Sequence, residues 1–436
     1  MTEAVKLRRG VGLASVVMLG AGTAIGVSIF SVLQPAAEVA GSGLLVAIPL
    51  AAVPMVFFAC TYAWMASAVP VTGASYEWPR RFIHPAAGFI VAWLRILTNV
   101  GAITVLGTVL VNYVGMAVPL PVKPVMAVLF TVIFALNFFG VAIAARLQTV
   151  LMILLAAMIA IFSGAGITSG QMTAIGPMLT HGWAGTLAAV PLLITLFLGI
   201  ETAVEIGDEV RDARRNIPLG IVLGIALTML IYMTVAAIAL ALVGPDTLAA
   251  SDAPLLEAAR AAMGGWATPV ILGAASVSIL TTINALVIIF SRSLYAMGKS
   301  RALPAVLEQV HTRFRTPQVA LLVAYVLVMS GLLLPSNITF LLLAVNIPTM
   351  LKYLFSSISA IFVVRNYPGI SARAALSIPV KLVLAVAWTS VVMAAGVLVL
   401  GLQAAWQPYV LVLGWALAGA LVWVAYSSHH ALEFNP

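Results

Sequence analysis

The sequence predicts an all-α integral membrane protein whose helices cross the bilayer twelve times, and three observations predict it. Charged residues make up only 8% of the 436, while 63% are apolar; soluble domains carry about 25% charged residues. Mean hydropathy is +1.15. Apolar runs of about 20 residues, the length that spans a hydrocarbon core, recur at 12–39, 43–68, 86–117, 123–141, 147–168, 187–207, 217–243, 267–297, 318–334, 338–364, 380–401 and 406–427. The polar stretches between them are too short to hold a soluble domain, so a single transmembrane domain over 1–436 is expected.

Charge orients these runs. With the N-terminus inside, 17 of the 21 Lys and Arg fall on the cytoplasmic side, from Lys6, Arg8 and Arg9 to Arg373 and Lys381. Lys123 and Arg260 fall outside, while Arg95 and Lys352 lie within spans. That asymmetry follows the positive-inside rule and puts both termini in the cytoplasm of a multi-pass plasma-membrane protein. The net charge of +8 is therefore topological and gives no reason to expect nucleic acid. The opening "MTEAVKLRRG" is short and basic, and the run after it is too long and too rich in glycine for a cleaved signal peptide. A single cysteine, Cys60, excludes disulfides and Cys-based metal sites. Neither a Walker motif nor paired catalytic carboxylates nor metal-ligand histidine spacing occurs, so no enzyme, cofactor or metal is expected. A channel would need a continuous polar pore, which the runs lack.

Taken in order, the first run raises the main question. "GAGTAIGVSIF" (Gly20 to Phe30) puts Gly20, Gly22 and Gly26 near the bilayer centre, where glycine weakens a helix. Runs two to five are continuous and complete a first unit, 12–168. The sixth run reads "PLLITLFLGIETAVEIGDEV" and sets Gly199 beside Glu201 at a similar depth. It opens a second five-span unit, 187–364, of opposite topology, and two further spans follow over 380–427. Between spans seven and eight, residues 244–266 contain a short amphipathic helix on the outside. Residues 298–317 form a basic loop inside. Paired interruptions in corresponding spans of inverted repeats point to a midplane binding site. Glycines that only permit close helix packing are the plainer alternative.

Interrupting a helix in the membrane frees N–H and C=O groups that need partners. Past the first break, the amides near Val27 and Ser28 and the positive helix end suit a carboxylate. Carbonyls around Ala24 and from Thr195 to Leu198 suit an ammonium. The breaks thus predict recognition of an α-amino acid backbone by Gly22, Thr23, Ala24, Gly26, Val27, Ser28, Thr195, Phe197, Leu198 and Gly199. A plain amine fits less well, because the N–H cluster would lack an anion.

Four motifs in this order resemble the amino acid–polyamine–organocation (APC) transporters. "GTAIGVSIF" resembles their first-span signature, and "PVTGASYEWPRRFIHPAAGFIVAW" the motif across spans two and three. "FLGIETAVEIGDEVRDARRNIPLGI" is similar to the span-six signature, and "SILTTINALVIIFSRSLYAMGKSRALP" to that of span eight. The resemblance implies a LeuT-like 5+5 inverted repeat with helices 1 and 6 broken. It also implies alternating-access transport of amino acids or related amines, by symport or exchange. Carried over by position, the carboxylate amides fall on Val27 and Ser28, the ammonium carbonyls on Ala24, Thr195 and Leu198, and the gating aromatic on Phe197. Two departures stand out. The usual Ser-Gly pair is Val27-Ser28 here, and the span-five lysine that replaces sodium in many members is Leu155.

Ionisable residues within spans are functional candidates. Glu201 either bonds the free amides of the second break and holds its shape, or couples protons. Lys352 either takes over the charge role missing at Leu155 or snorkels to a cytoplasmic vestibule; Arg95 is read as snorkelling. Glu205, Asp208 and Glu209 are expected to form gate salt bridges with Arg211, Arg214 and Arg215. Ser278, Thr281, Thr282 and Asn284 face inward by family analogy, where their hydroxyls coordinate sodium or bond their own helix. Without a dedicated carboxylate, protons are favoured over sodium. Pocket candidates Phe197, Leu198, Leu286 and Val27 are apolar, which leans towards a small or hydrophobic neutral amino acid. The alternative substrate is an amine or polyamine.

Overall fold

In the computed structural model, residues 7, 9–26, 28–115, 120–173, 175, 177–251, 253–333, 338–404 and 407–427 are described. Helices occupy nearly every predicted run: α1 (Leu13–Ile25), α2 (Ser28–Ala40), α3 (Leu44–Ala68), α4 (Ala74–Phe82), α5 (Pro85–Gly115), α6 (Val122–Phe138), α7 (Val141–Thr168) and α8 (Gly182–Leu193). They continue as α9 (Ala213–Ala250), α10 (Pro254–Met263), α11 (Ala267–Lys299), α12 (Gln318–Gly331), α13 (Ile338–Asn366), α14 (Pro368–Ser371), α15 (Val380–Ala404) and α16 (Gln407–Ser427). Among the described residues, eight stretches are long and apolar enough to cross a membrane. A ninth appears if Gly182–Val190 and Ile194–Glu205, bent by 42°, count as one. Leu13–Ile25, Val122–Phe138 and Gln318–Gly331 are apolar but shorter.

Both interrupted runs break where the sequence puts glycine. The first run is two helices, α1 and α2, on either side of Gly26. In the sixth, α8 tightens into a 3₁₀ turn (Ile194–Phe197), stops at Leu198-Gly199, and resumes as 3₁₀ from Ile200 to Glu205. α9 outlasts its predicted end at 243 by passing through a kink at Gly244, φ +75°. The amphipathic helix expected in 244–266 is α10.

The largest buried cluster joins α1, α2, α3, α7, α9, α10, α11, α13 and α15; a second joins α5, α6, α11 and α12. α1 lies against α7, α9, α11 and the 3₁₀ turn after Gly199. Packing partners come in corresponding sets: α1 on α9 and the sixth run on α3; α7 on α11 and α13 on α5; α5 on α6 and α11 on α12. The helices α15 and α16 are peripheral and turn large apolar side chains outward, among them Val392, Leu417 and Leu421. Such a surface suits lipid, which can satisfy no polar group.

Candidate functional site

The site begins with why α1 stops. Gly26 has φ +34° and ψ −142°, a backbone state that side chains with a Cβ avoid, so the helical ladder cannot pass it. Val27 lies outside the described residues; Ser28 begins α2, and its side chain is likewise outside them. Gly20 and Gly22 serve differently. A Cβ on Gly20 would stand 2.6 Å from the Ile200 carbonyl oxygen, and one on Gly22 would meet Gln148 and Met152. These two glycines let α1 approach the sixth run and α7 closely, so close packing and helix breaking coexist in one motif.

The carbonyls freed at the end of α1 are taken by hydroxyls of neighbouring helices. Thr281 and Thr282 of α11 donate to the Gly22 carbonyl at 3.0 and 3.1 Å, and Ser278 donates to the Gly26 carbonyl. The same threonines also bond the Ser278 carbonyl of their own helix. Thr23 turns its hydroxyl back to Leu19 at 2.6 Å.

At the second break Leu198 is extended and Gly199 has φ +98°. A Cβ on Gly199 would lie 2.7 Å from the Thr23 methyl, so the two breaks touch. Tyr232, fully buried on α9, joins them: its one hydroxyl is placed to donate to the Ala24 carbonyl at 3.0 Å and to the Leu196 carbonyl at 2.9 Å. One O–H cannot saturate two carbonyls, so acceptor capacity remains between the breaks. The Thr195 carbonyl accepts the Leu198 amide at 3.4 Å. Phe197 is fully buried, edge-on to Tyr232 with centroids 5.8 Å apart. Leu198 packs on the main cluster and Leu286, on α11, on the second.

The carboxylates of the sixth run find partners other than the expected ones. Glu201 pairs with Lys352 of α13, both buried. The ammonium stands over the Tyr353 ring, 4.5 Å from its centroid, and 5.8 Å from that of Tyr62. Lys352 therefore does not snorkel, and Glu201 has a cation as well as a break beside it. Arg95 does not snorkel either: it donates to Glu205 at 3.0 Å and is buried. Glu209 accepts two bonds, 2.7 and 3.1 Å, from Arg292 of α11, with both side chains out of solvent. Asp208 accepts the Thr72 amide at 3.3 Å and donates its own to the Thr72 hydroxyl at 3.1 Å. Arg211, Arg214 and Arg215 form no ion pair among the described residues, and the expected gate pairs are replaced by pairs to α5 and α11. The reason is depth. Those arginines flank the exposed start of α9, whereas the carboxylates point into the bundle.

Tyr232, Asn137 and Asn99 are buried polar groups that no motif marks. Tyr232 sits mid-run in "LIYMTV", and its signal was a tyrosine away from the interface belt where that residue is enriched. A chain of amides crosses the bundle: Asn137 donates to Asn284 at 3.0 Å, Asn284 to Gln148 at 2.9 Å, and Gln148 to the Met18 carbonyl at 3.4 Å. Asn99, on α5 one turn beyond Arg95, is 1% exposed, and its amide has no hydrogen-bond partner among the described residues. Leu155, in the place of the sodium-replacing lysine, lines an apolar cavity with Ile25, Phe30 and Met158.

The chain is similar to known transport proteins over most of its length. The family described as amino acid permease matches residues 11–424. An uncharacterized transporter of Mycobacterium tuberculosis is 32% identical over 316 residues, covering 72% of this chain and 71% of that protein. A branched-chain amino acid permease of Bacillus subtilis is 24% identical over 449 residues, covering 98% and 94%. The methylthioribose transporter of the same organism is 23% identical, covering 98% and 95%.

Proposed function

This chain belongs to the amino acid permease family, and from that membership we propose that it is a secondary active transporter of neutral amino acids working by alternating access. The observation that carries the reading is the meeting of two interrupted helices at Tyr232, with carbonyls from both breaks turned to one point. A solute ammonium would be a second donor to these carbonyls, because the two share a single hydroxyl proton. Its carboxylate would take the amides at the start of α2, where the helix end is positive. A solute held by both halves can be passed across only if the halves move relative to each other. The corresponding packing partners in the two halves support the 5+5 inverted repeat, and with α15 and α16 added this reading counts twelve spans. In this reading the protein lies in the plasma membrane with both termini in the cytoplasm, where its basic residues concentrate.

Coupling is assigned to the Glu201–Lys352 pair and hence to protons. A buried pair beside the second break changes its charge balance when one partner gains or loses a proton, and both partners are needed for neutrality. The Glu205–Arg95 and Glu209–Arg292 pairs, lying in series beyond it, form the inner gate. The hydroxyls of Ser278, Thr281 and Thr282 already serve the α1 carbonyls, and with no carboxylate among them sodium is disfavoured. Transport of a branched-chain solute is consistent with apolar Phe197 and Leu198, and the branched-chain permease resemblance supports it.

The test is uptake of a labelled amino acid panel into proteoliposomes, with pH gradient, sodium gradient or internal substrate imposed in turn. Accumulation of neutral amino acids with the pH gradient or internal substrate is the expected result. Uptake of amines in place of every amino acid would overturn it in favour of an amine permease. Lys352→Met should abolish the response to pH; normal transport by that variant at every pH would end the coupling assignment.

A further inference from the structure

We propose that the groove between α6 and α12 is a binding site for one anionic phospholipid. Phe134, Ala135 and Phe138 of α6 face Leu321 and Leu322 of α12 across it. One end is closed by the Thr131 and Tyr325 hydroxyls, 3.0 Å apart, with Tyr325 edge-on to Phe134. From Thr131 to Phe138 the groove runs about 10 Å along the helix, against roughly 15 Å for one leaflet of a hydrocarbon core about 30 Å thick. Those dimensions fit a single acyl chain.

The other end is basic. The hairpin 310–317 is closed by the Val310 and Pro317 bridge and by the His311 amide donating to the Thr316 carbonyl at 2.8 Å. It docks on the end of α6: Thr316 donates to the Phe138 carbonyl at 2.9 Å, and Phe314 packs on Phe138 with centroids 5.7 Å apart. Arg313 stands over Phe314 at 5.5 Å. Arg313 and Arg315 are both exposed, and among the described residues neither has an acidic partner. The nearby Glu308 is already paired with Arg301 at 3.0 Å. An apolar groove that opens beneath two uncompensated guanidinium groups matches a phosphodiester head on an acyl tail, since arginine is suited to phosphate. Basic pockets between membrane helices select anionic head groups by the same physics. A zwitterionic head would leave that charge partly unmatched, and a second copy of the chain would need a carboxylate facing it. The proposal needs only the membrane location of the protein and is independent of the transported solute.

Native mass spectrometry of the full chain in neutral detergent, titrated with phosphatidylglycerol or phosphatidylcholine, tests it. Phosphatidylglycerol should bind at least tenfold more tightly. Arg313→Gln with Arg315→Gln should erase that preference, and the same loss of charge at Arg373 and Lys381 should leave it intact. Ala135→Trp, at an exposed groove position, should weaken both lipids at least tenfold. Equal binding of the two lipids, an unchanged preference in the arginine double variant, or unchanged binding in Ala135→Trp would each overturn the proposal. So would a dimer that Ala135→Trp dissociates, since the groove would then belong to a second copy.

Discussion

A single hydroxyl on α9 holds the two breaks in register. Tyr232→Phe leaves the Ala24 and Leu196 carbonyls buried without that donor, at a cost of about 1–3 kcal/mol. Its expected outcome is a lower thermal midpoint in detergent together with at least a tenfold fall in uptake, because the geometry of both breaks depends on the bond. The opposite sign is expected at Asn99. An amide buried without a partner is destabilising, so Asn99→Leu should raise stability by roughly 1 kcal/mol, measured by the same thermal scan. Glu201 and Lys352 were both legible in the sequence as ionisable groups inside apolar runs. What could not be read was that they pair, since 151 positions separate them. The snorkelling assigned to Arg95 failed for the same reason: its partner Glu205 lies on a distant part of the chain.

At the scale of elements, the glycine motifs act by two different physical means. Gly26 and Gly199 take positive φ and end helical ladders, while Gly20 and Gly22 make room for neighbouring groups. A Cβ at Gly199 meets both penalties, strain at φ +98° and contact with Thr23 at 2.7 Å. Gly199→Ala should therefore lose uptake even where protein still reaches the membrane. Gly164→Ala, in α7 with nothing within 4 Å of the new methyl, should be neutral or slightly stabilising. Comparing expression and uptake of the two variants checks this. The positions of both breaks were legible because glycine has a local cause and a local effect. The 3₁₀ form of the second break was not, since the carboxylates at 201, 205 and 209 are drawn to separate partners on α13, α5 and α11.

For the whole molecule, the buried pairs Glu205–Arg95 and Glu209–Arg292 tie the sixth run to α5 and α11 in series. Breaking one partner of such a pair costs about 3–5 kcal/mol, and the cost is avoided in any state where the pair is open to water. Glu209→Gln should therefore shift the population towards a conformation open at that end. Its measure is faster labelling of Ala203→Cys by a membrane-impermeant thiol reagent in a Cys60→Ser background; an unchanged rate would argue against a gate there. The sequence by itself determined that the chain is a helical membrane protein, where its helices run and where two of them break, because hydropathy and glycine act through nearest neighbours and solvent. Only the tertiary structure decided which charges meet and that Tyr232 bridges the breaks. Those outcomes depend on which faces of distant helices come together, and a buried charge or hydroxyl takes the partner that packing brings within reach.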